Sequence, residues 1–257
     1  MKKILLISLL ALALLLACSA CGGNSPYDEY ARAYKMLRQE SSFATSTRQF
    51  YHSIDPATGA MDTYEASADS RVVKTDGGYD GISYTQFYGE EDSYSAEVYI
   101  RDGRSYSVVY EGNTAEGYRT STACDPDSAL KMATEGVTGL LELTKDIITE
   151  QTVTDSGRGK SLQFYLDTEK FYAWMFGEPE DGTRYISEAE PPCYTVRLDE
   201  EGRLEQVLFY YWLKSTDDKP SSMQYELQVD FLQCGDIELD FPELNEEDYP
   251  NYTSQAD

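Results

Sequence analysis

The chain has 257 residues, 46 of them acidic and 21 basic, for a net charge of −25 at neutral pH. So acidic a surface repels phosphate backbones and excludes nucleic acid as a partner. A single histidine, His52, excludes a histidine-based catalytic triad and a multi-histidine metal centre.

Met1, Lys2 and Lys3 precede an apolar run from Ile4 to Ala17, a basic head and hydrophobic stretch with the layout of a secretory signal. The run falls short of the ~20 residues a transmembrane helix requires. It ends in Leu15-Leu16-Ala17-Cys18, which matches a bacterial lipobox, where the thiol is diacylated and the chain is cut just before it. Cys21 is the alternative site, but it would put Cys18 where the motif prefers an aliphatic residue. Residues 1–17 are therefore expected to be a signal peptide and 18–25 a lipidated tether. Two acyl chains at ~0.8 kcal/mol per buried methylene make such an anchor effectively permanent. The expected location is the extracytoplasmic face of the cell membrane, reached through lipid.

Residues 26–243 are expected to form one domain and 244–257 a frayed acidic tail. Ser25-Pro26-Tyr27-Asp28 carries a serine cap, a first-turn proline and an acid three residues after the cap, so a helix is expected from Pro26 to about Gln39 with Tyr30, Ala33, Tyr34 and Leu37 on one face. The period then changes to two. Phe43 to Ile54, Met61 to Thr75 and Gly81 to Tyr88 are β-like. Tyr94 to Ile100 and Tyr106 to Tyr110 alternate cleanly around Asp102-Gly103, the signal for a type I′ hairpin.

Asp125-Pro126 opens a second expected helix, with Leu130, Ala133, Val137, Leu140, Leu141 and Thr144 on one stripe. A strand from Ile147-Ile148 and another at Leu162 to Leu166 flank a Ser156-to-Gly159 turn, and a short helix is expected over Asp167–Phe176. Gly177 to Pro192 reads as a loop. Three strands close the domain: Tyr194–Asp199, Leu204–Leu213 and Met223–Gln233. The last alternates apolar and polar, as a sheet with one wet face does. The middle one is apolar on both parities, so cover is expected on both sides.

Cys124, Cys193 and Cys234 are an odd set in an exported chain. Centring the hairpin turn on Asp199-Glu200-Glu201-Gly202 puts Cys193 opposite Leu208, and the next turn puts Leu208 opposite Gln228. Cys193 and Cys234 then lie on strands two apart, ~9.5 Å or more, beyond the ~7 Å reach of a disulfide.

No P-loop, dinucleotide-binding glycine motif or calcium loop occurs, and no metal or cofactor is expected. Carboxylate-dependent hydrolysis stays open only because acids are abundant. The 22 tyrosines, 9 phenylalanines and 2 tryptophans admit two readings, sheet packing or an aromatic-lined surface for an apolar ligand or sugar ring. For the second, the candidate lining residues are Tyr172, Trp174, Phe176, Tyr210, Tyr211 and Trp212.

Several short motifs recur together in one family: Arg101-Asp102-Gly103-Arg104, Leu166-Asp167-Thr168-Glu169-Lys170, the Val196-to-Leu204 segment and the closing Ile237-to-Pro242. With the anchored first helix, this layout resembles the LolA/LppX-like lipoproteins of Gram-positive bacteria over nearly the whole chain past the tether. The resemblance implies an α+β fold, a strongly curved antiparallel half-barrel with helices across its concave face. It also implies a non-enzymatic binding or carrier role for an apolar molecule. The alternatives are an interaction or structural lipoprotein with a filled core, and a carboxylate hydrolase.

Overall fold

The structure, a computed structural model, describes residues 25–55, 58–89, 93–112, 117–134, 146–155, 157–177, 184–188, 190–216 and 221–250. Cys18, Cys21 and the expected helical stripe beyond Thr134 lie outside these residues. Six strands form the N-terminal half: β1 (Ser42–Ile54), β2 (Met61–Thr75), β3 (Gly78–Gly89), β4 (Ser93–Arg101), β5 (Arg104–Glu111) and β6 (Tyr118–Ala123). Six more follow: β7 (Ile148–Asp155), β8 (Lys160–Leu166), β9 (Tyr185–Ser187), β10 (Cys193–Leu198), β11 (Leu204–Ser215) and β12 (Ser222–Cys234). They make one open antiparallel sheet in the order β6-β5-β4-β3-β2-β1-β12-β11-β10-β8-β7, with β9 pairing β11. The described residues are thus mostly β, and among them are three short helices, α1 (Pro26–Leu37), α2 (Ser128–Ala133) and α3 (Thr168–Phe176).

The local signals act as expected where chemistry is local. At the start of α1, the Ser25 hydroxyl accepts from the Asp28 N–H while the Asp28 carboxylate accepts from the Ser25 N–H, a closed capping box. Asp102 and Gly103 both have positive φ, 52° and 74°, as a type I′ turn between β4 and β5 requires. Asp199 holds the β10–β11 turn by accepting from the backbone N–H groups of Glu201 and Arg203.

The two hairpin registers tell different stories. Leu208 faces Gln228 as expected. Cys193, however, faces Tyr210, because the β10–β11 ladder shifts between Arg197 and Leu198. Cys234 pairs with Phe43 on β1, and Cys124, Cys193 and Cys234 are all free thiols. Two further expectations give way. The Gly177–Pro192 stretch contains β9, which pairs the Leu213–Ser215 end of β11 beyond the reach of β10. The acidic tail is docked as far as Pro250: Tyr249 is buried, lies edge-on to Tyr106 at 5.4 Å, and its carbonyl accepts from the Ser121 hydroxyl.

Two cores result. The larger lies where these helices meet the sheet: α1 against β7, β8 and β11, α2 against β1–β3, and α3 beside β9 with Phe171 on Phe209. The smaller lies on the opposite face, where Leu239, Phe241 and Tyr249 pack over Ile82, Tyr99 and Val108.

Gly81 sets how closely α2 approaches. A Cβ there would sit 2.9 Å from the Ala129 Cβ and 3.1 Å from the Arg71 carbonyl oxygen. At Gly77 a Cβ would meet nothing within 4 Å. Gly81→Ala is therefore expected to lower stability by about 1–3 kcal/mol, whereas Gly77→Ala stays within about 0.5 kcal/mol. Urea denaturation of both variants checks the contrast.

Candidate binding faces

Strand alternation sorts the aromatic side chains onto two faces. On the helix-bearing face they form a ribbon running across the strands. Tyr194 stacks on Phe209 at 4.1 Å, Phe209 reaches Tyr225 at 6.0 Å, and Tyr225 stacks on Tyr211 at 5.5 Å. Tyr225 is the cross-strand partner of Tyr51. From there Tyr51 stacks on Tyr64 at 5.0 Å, Tyr64 meets Phe87 at 5.1 Å, and Phe87 stacks on Tyr94 at 4.8 Å. One ring set thus connects β10 to β4, and apart from the tight Tyr194–Phe209 stack its spacings lie in the range aromatic pairs favour.

Beside the ribbon the sheet changes character. The positions between β1 and β4 on this face are small: Thr47, Ala66, Ala68, Ser83 and Thr85. With Tyr64, Phe87 and Tyr94 on one side and Met132 of α2 on another, they line a half-open cavity of about 270 Å³. The polar groups nearest the helix are already satisfied. Thr45 donates its hydroxyl to the Ala133 carbonyl at 3.0 Å, and the Ser70 hydroxyl donates to that of Ser83 at 2.9 Å.

The opposite face carries a wider groove of about 560 Å³ over β11, β12, β1 and β2, to which Leu208, Tyr210, Phe50 and Tyr88 contribute. Leu208, Tyr210 and Trp212 are half-buried here. The second parity of β11, expected to be covered, instead opens onto this groove.

The six aromatic residues singled out by sequence fall into two groups. Tyr172, Phe176 and Tyr211 lie together on the helix-bearing face, with Tyr172 5.0 Å from Phe176 and Phe176 6.2 Å from Tyr211. Tyr172 also stacks on Tyr185 of β9 at 3.9 Å, and Trp174 lies 6.3 Å from Phe171. Tyr210 and Trp212 point the other way, and Tyr210 lines the wide groove. The small-residue cavity involves none of the six. Its signal in the sequence was the unusual run Ala66-Ser67-Ala68 inside a strand, which gives no bulk where a core strand would.

Among the described carboxylates, Asp80 is pushed above its usual range, first by burial and then by the neighbouring Asp102 charge, against the lowering effect of the hydrogen bond from the Asp102 N–H. It sits on β3 opposite Val73, beside the β4–β5 turn, and lines neither cavity.

No family model and no curated protein matches the chain. Solved structures that are similar to it include a DUF1329 family protein from Desulfovibrio piger, at 11% identity over 80% of this chain and 91% of that one, with a TM-score of 0.29. Others are a β-barrel-like protein of the DUF1849 domain from Brucella abortus, at 8% identity over 74% of this chain and 99% of that one (TM-score 0.24), and DynF from the dynemicin biosynthesis pathway of Micromonospora chersina, at 10% identity over 74% and 79% (TM-score 0.19). With superpositions this loose, the functional reading rests on the chain's own geometry.

The buried tyrosines of the helix-bearing side leave a titration signature. Burial, with Tyr30 also beside Tyr194 and Tyr211 beside Tyr51, Tyr225 and Tyr64, pushes both phenols well above their ordinary range. A phenol raised in the folded state stabilises the fold fully below its unfolded pKa, and this contribution is lost as pH rises. Stability is therefore expected to hold up to about pH 10, where unfolded tyrosines ionise, and to fall above it. Denaturant midpoints followed from neutral to alkaline pH check this, and in Tyr30→Phe the alkaline fall should be smaller.

Proposed function

We propose that the protein is a lipid-anchored extracytoplasmic binding or carrier protein that holds an apolar molecule against the helix-bearing face of its sheet. The observation that carries this reading is the cavity between α2 and β1–β4, walled by Tyr64, Phe87 and Tyr94 and floored by small side chains. Pockets for small ligands pair apolar and aromatic walls with a few polar groups, and here Thr47, Gln49 and Thr85 supply the latter. An open antiparallel sheet with its helices gathered on one face also suits the curved half-barrel of a LolA/LppX-like domain. The anchor is the acylated Cys18, with Cys21 as the alternative, and it joins the domain to the membrane through the tether before α1. The role proposed is binding, through a cavity whose walls are aromatic and whose floor is small and hydroxyl-bearing.

A second reading has its own observation. Between β8 and β11 the same face is packed solid, with Phe164, Phe171, Tyr194, Phe209 and Leu213 all buried. If that packing were the whole purpose of the face, the protein would be an interaction lipoprotein with a filled core.

Mass spectrometry of the full chain extracted from its own host tests the proposal. The N-terminal peptide is expected to carry a diacylglyceryl thioether on Cys18, and native spectra are expected to show a co-purifying apolar molecule. Ala68→Trp, which fills the cavity, should lose that molecule while keeping the anchor. A ligand-free wild type would favour the filled-core reading, and an unmodified N-terminal cysteine would overturn the anchor.

A further inference from the structure

The groove on the helix-free face has a regular construction that an apolar ligand does not require. Tyr210 on β11 pairs with Glu226 on β12, Glu226 with Phe50 on β1, Phe50 with Glu65 on β2, and Glu65 with Tyr88 on β3. The row therefore reads ring, carboxylate, ring, carboxylate, ring across five neighbouring strands, and all five residues line the groove. Neighbouring strands lie ~4.8 Å apart, so successive rings stand ~9.6 Å apart. That is close to the advance of two pyranose units along an extended glycan.

We infer that this groove is a binding site for an uncharged, extended oligosaccharide. Flat rings take the C–H faces of alternate sugars, and Glu226 and Glu65 between them accept hydrogen bonds from hydroxyl groups. Arg48, one position along β1 from the row on the same face and also lining the groove, offers donors to ring or substituent oxygens. Tyr88 is 56% exposed, so its ring is open to solvent at the end of the row. Anionic glycans are disfavoured by the two carboxylates and by the chain's net charge of −25. A basic peptide is the weaker fit. A peptide adds to a sheet through an exposed edge, whereas β12, β1 and β2 each have ladder partners on both sides. Arg48 also opposes a cation in the groove. This site lies across the sheet from the small-residue cavity and does not depend on it.

The test uses the full chain in a non-glycosidic detergent, titrated with hexasaccharides of β-1,4-linked glucose and of β-1,4-linked N-acetylglucosamine, and with hexalysine. At least one hexasaccharide is expected to bind. Tyr88→Ala and Tyr210→Ala should each weaken that binding by about tenfold or more, the loss typical of a truncated anchoring residue. Tyr118→Ala, at an exposed ring outside the groove, should leave the affinity unchanged. Circular dichroism identifies any variant that fails to fold. Failure of both sugars to bind would overturn the inference, as would binding of hexalysine alone or sugar binding that survives both tyrosine substitutions.

Discussion

The pairing of β1 with β12 is the constraint on which everything else in this molecule depends. It joins a meander of strands from the N-terminal half to one from the C-terminal half, through a ladder running from Phe43 opposite Cys234 to Ile54 opposite Ser222. Loop-closure entropy opposes so distant a contact, though it grows only slowly with length. The ladder persists because it aligns both halves of the core: Thr47 faces Val229, Gln49 faces Leu227, and Tyr51 faces Tyr225. Slipping the register by one residue would turn every one of these side chains to the other face.

With that seam in place, one chain presents two faces of different chemistry. The helix-bearing face is dry and aromatic toward β10 and β11, and becomes small and hydroxyl-rich across β1, β2 and β3. It is therefore filled at one end and leaves space at the other. The opposite face is divided too. At β3–β5 it is closed by the chain's own C-terminal segment, whose Phe241 and Tyr249 rings lie beneath the Arg101 and Arg119 guanidinium groups. At β11–β2 it stays open, and there the carboxylates and rings alternate. A polar sheet face with an exposed Tyr88 and half-buried Phe50 and Tyr210 in register has a composition that a simple solvated surface does not require.

Much of this was legible in the sequence, because much of it is local. The capped first helix, the Asp102-Gly103 hairpin, the Asp199–Gly202 turn and the Asp167 cap of α3 are each specified by a few adjacent residues, and the structure forms all of them. What escaped was non-local or was masked by composition. No turn announces the β1–β12 seam. Strand β9 lies in a segment rich in prolines and acids that reads as a loop, and pairing with the free end of β11 is what orders it. The stretch from Leu244 onward reads as a solvated acidic tail, yet its apolar residues Leu244 and Tyr249 dock beside Leu239 and Phe241 of the preceding segment. The candidate aromatic residues were chosen by type, and strand parity then placed Tyr210 and Trp212 on the face opposite Tyr211. Neither the small-residue cavity nor the alternating groove could be seen without the register, since both are properties of rows across strands.

Hydrogen exchange of the native protein, read by mass spectrometry, tests the central claim most directly. If the seam unites both halves, peptides from β1 and β12 will be among the slowest to exchange, and they will share one opening free energy equal to that of global unfolding. Exchange in which the β2–β6 and β8–β11 regions each kept their own protection while β1 and β12 opened far more easily would contradict it. The molecule would then be two separate meanders, without a continuous sheet to carry either face.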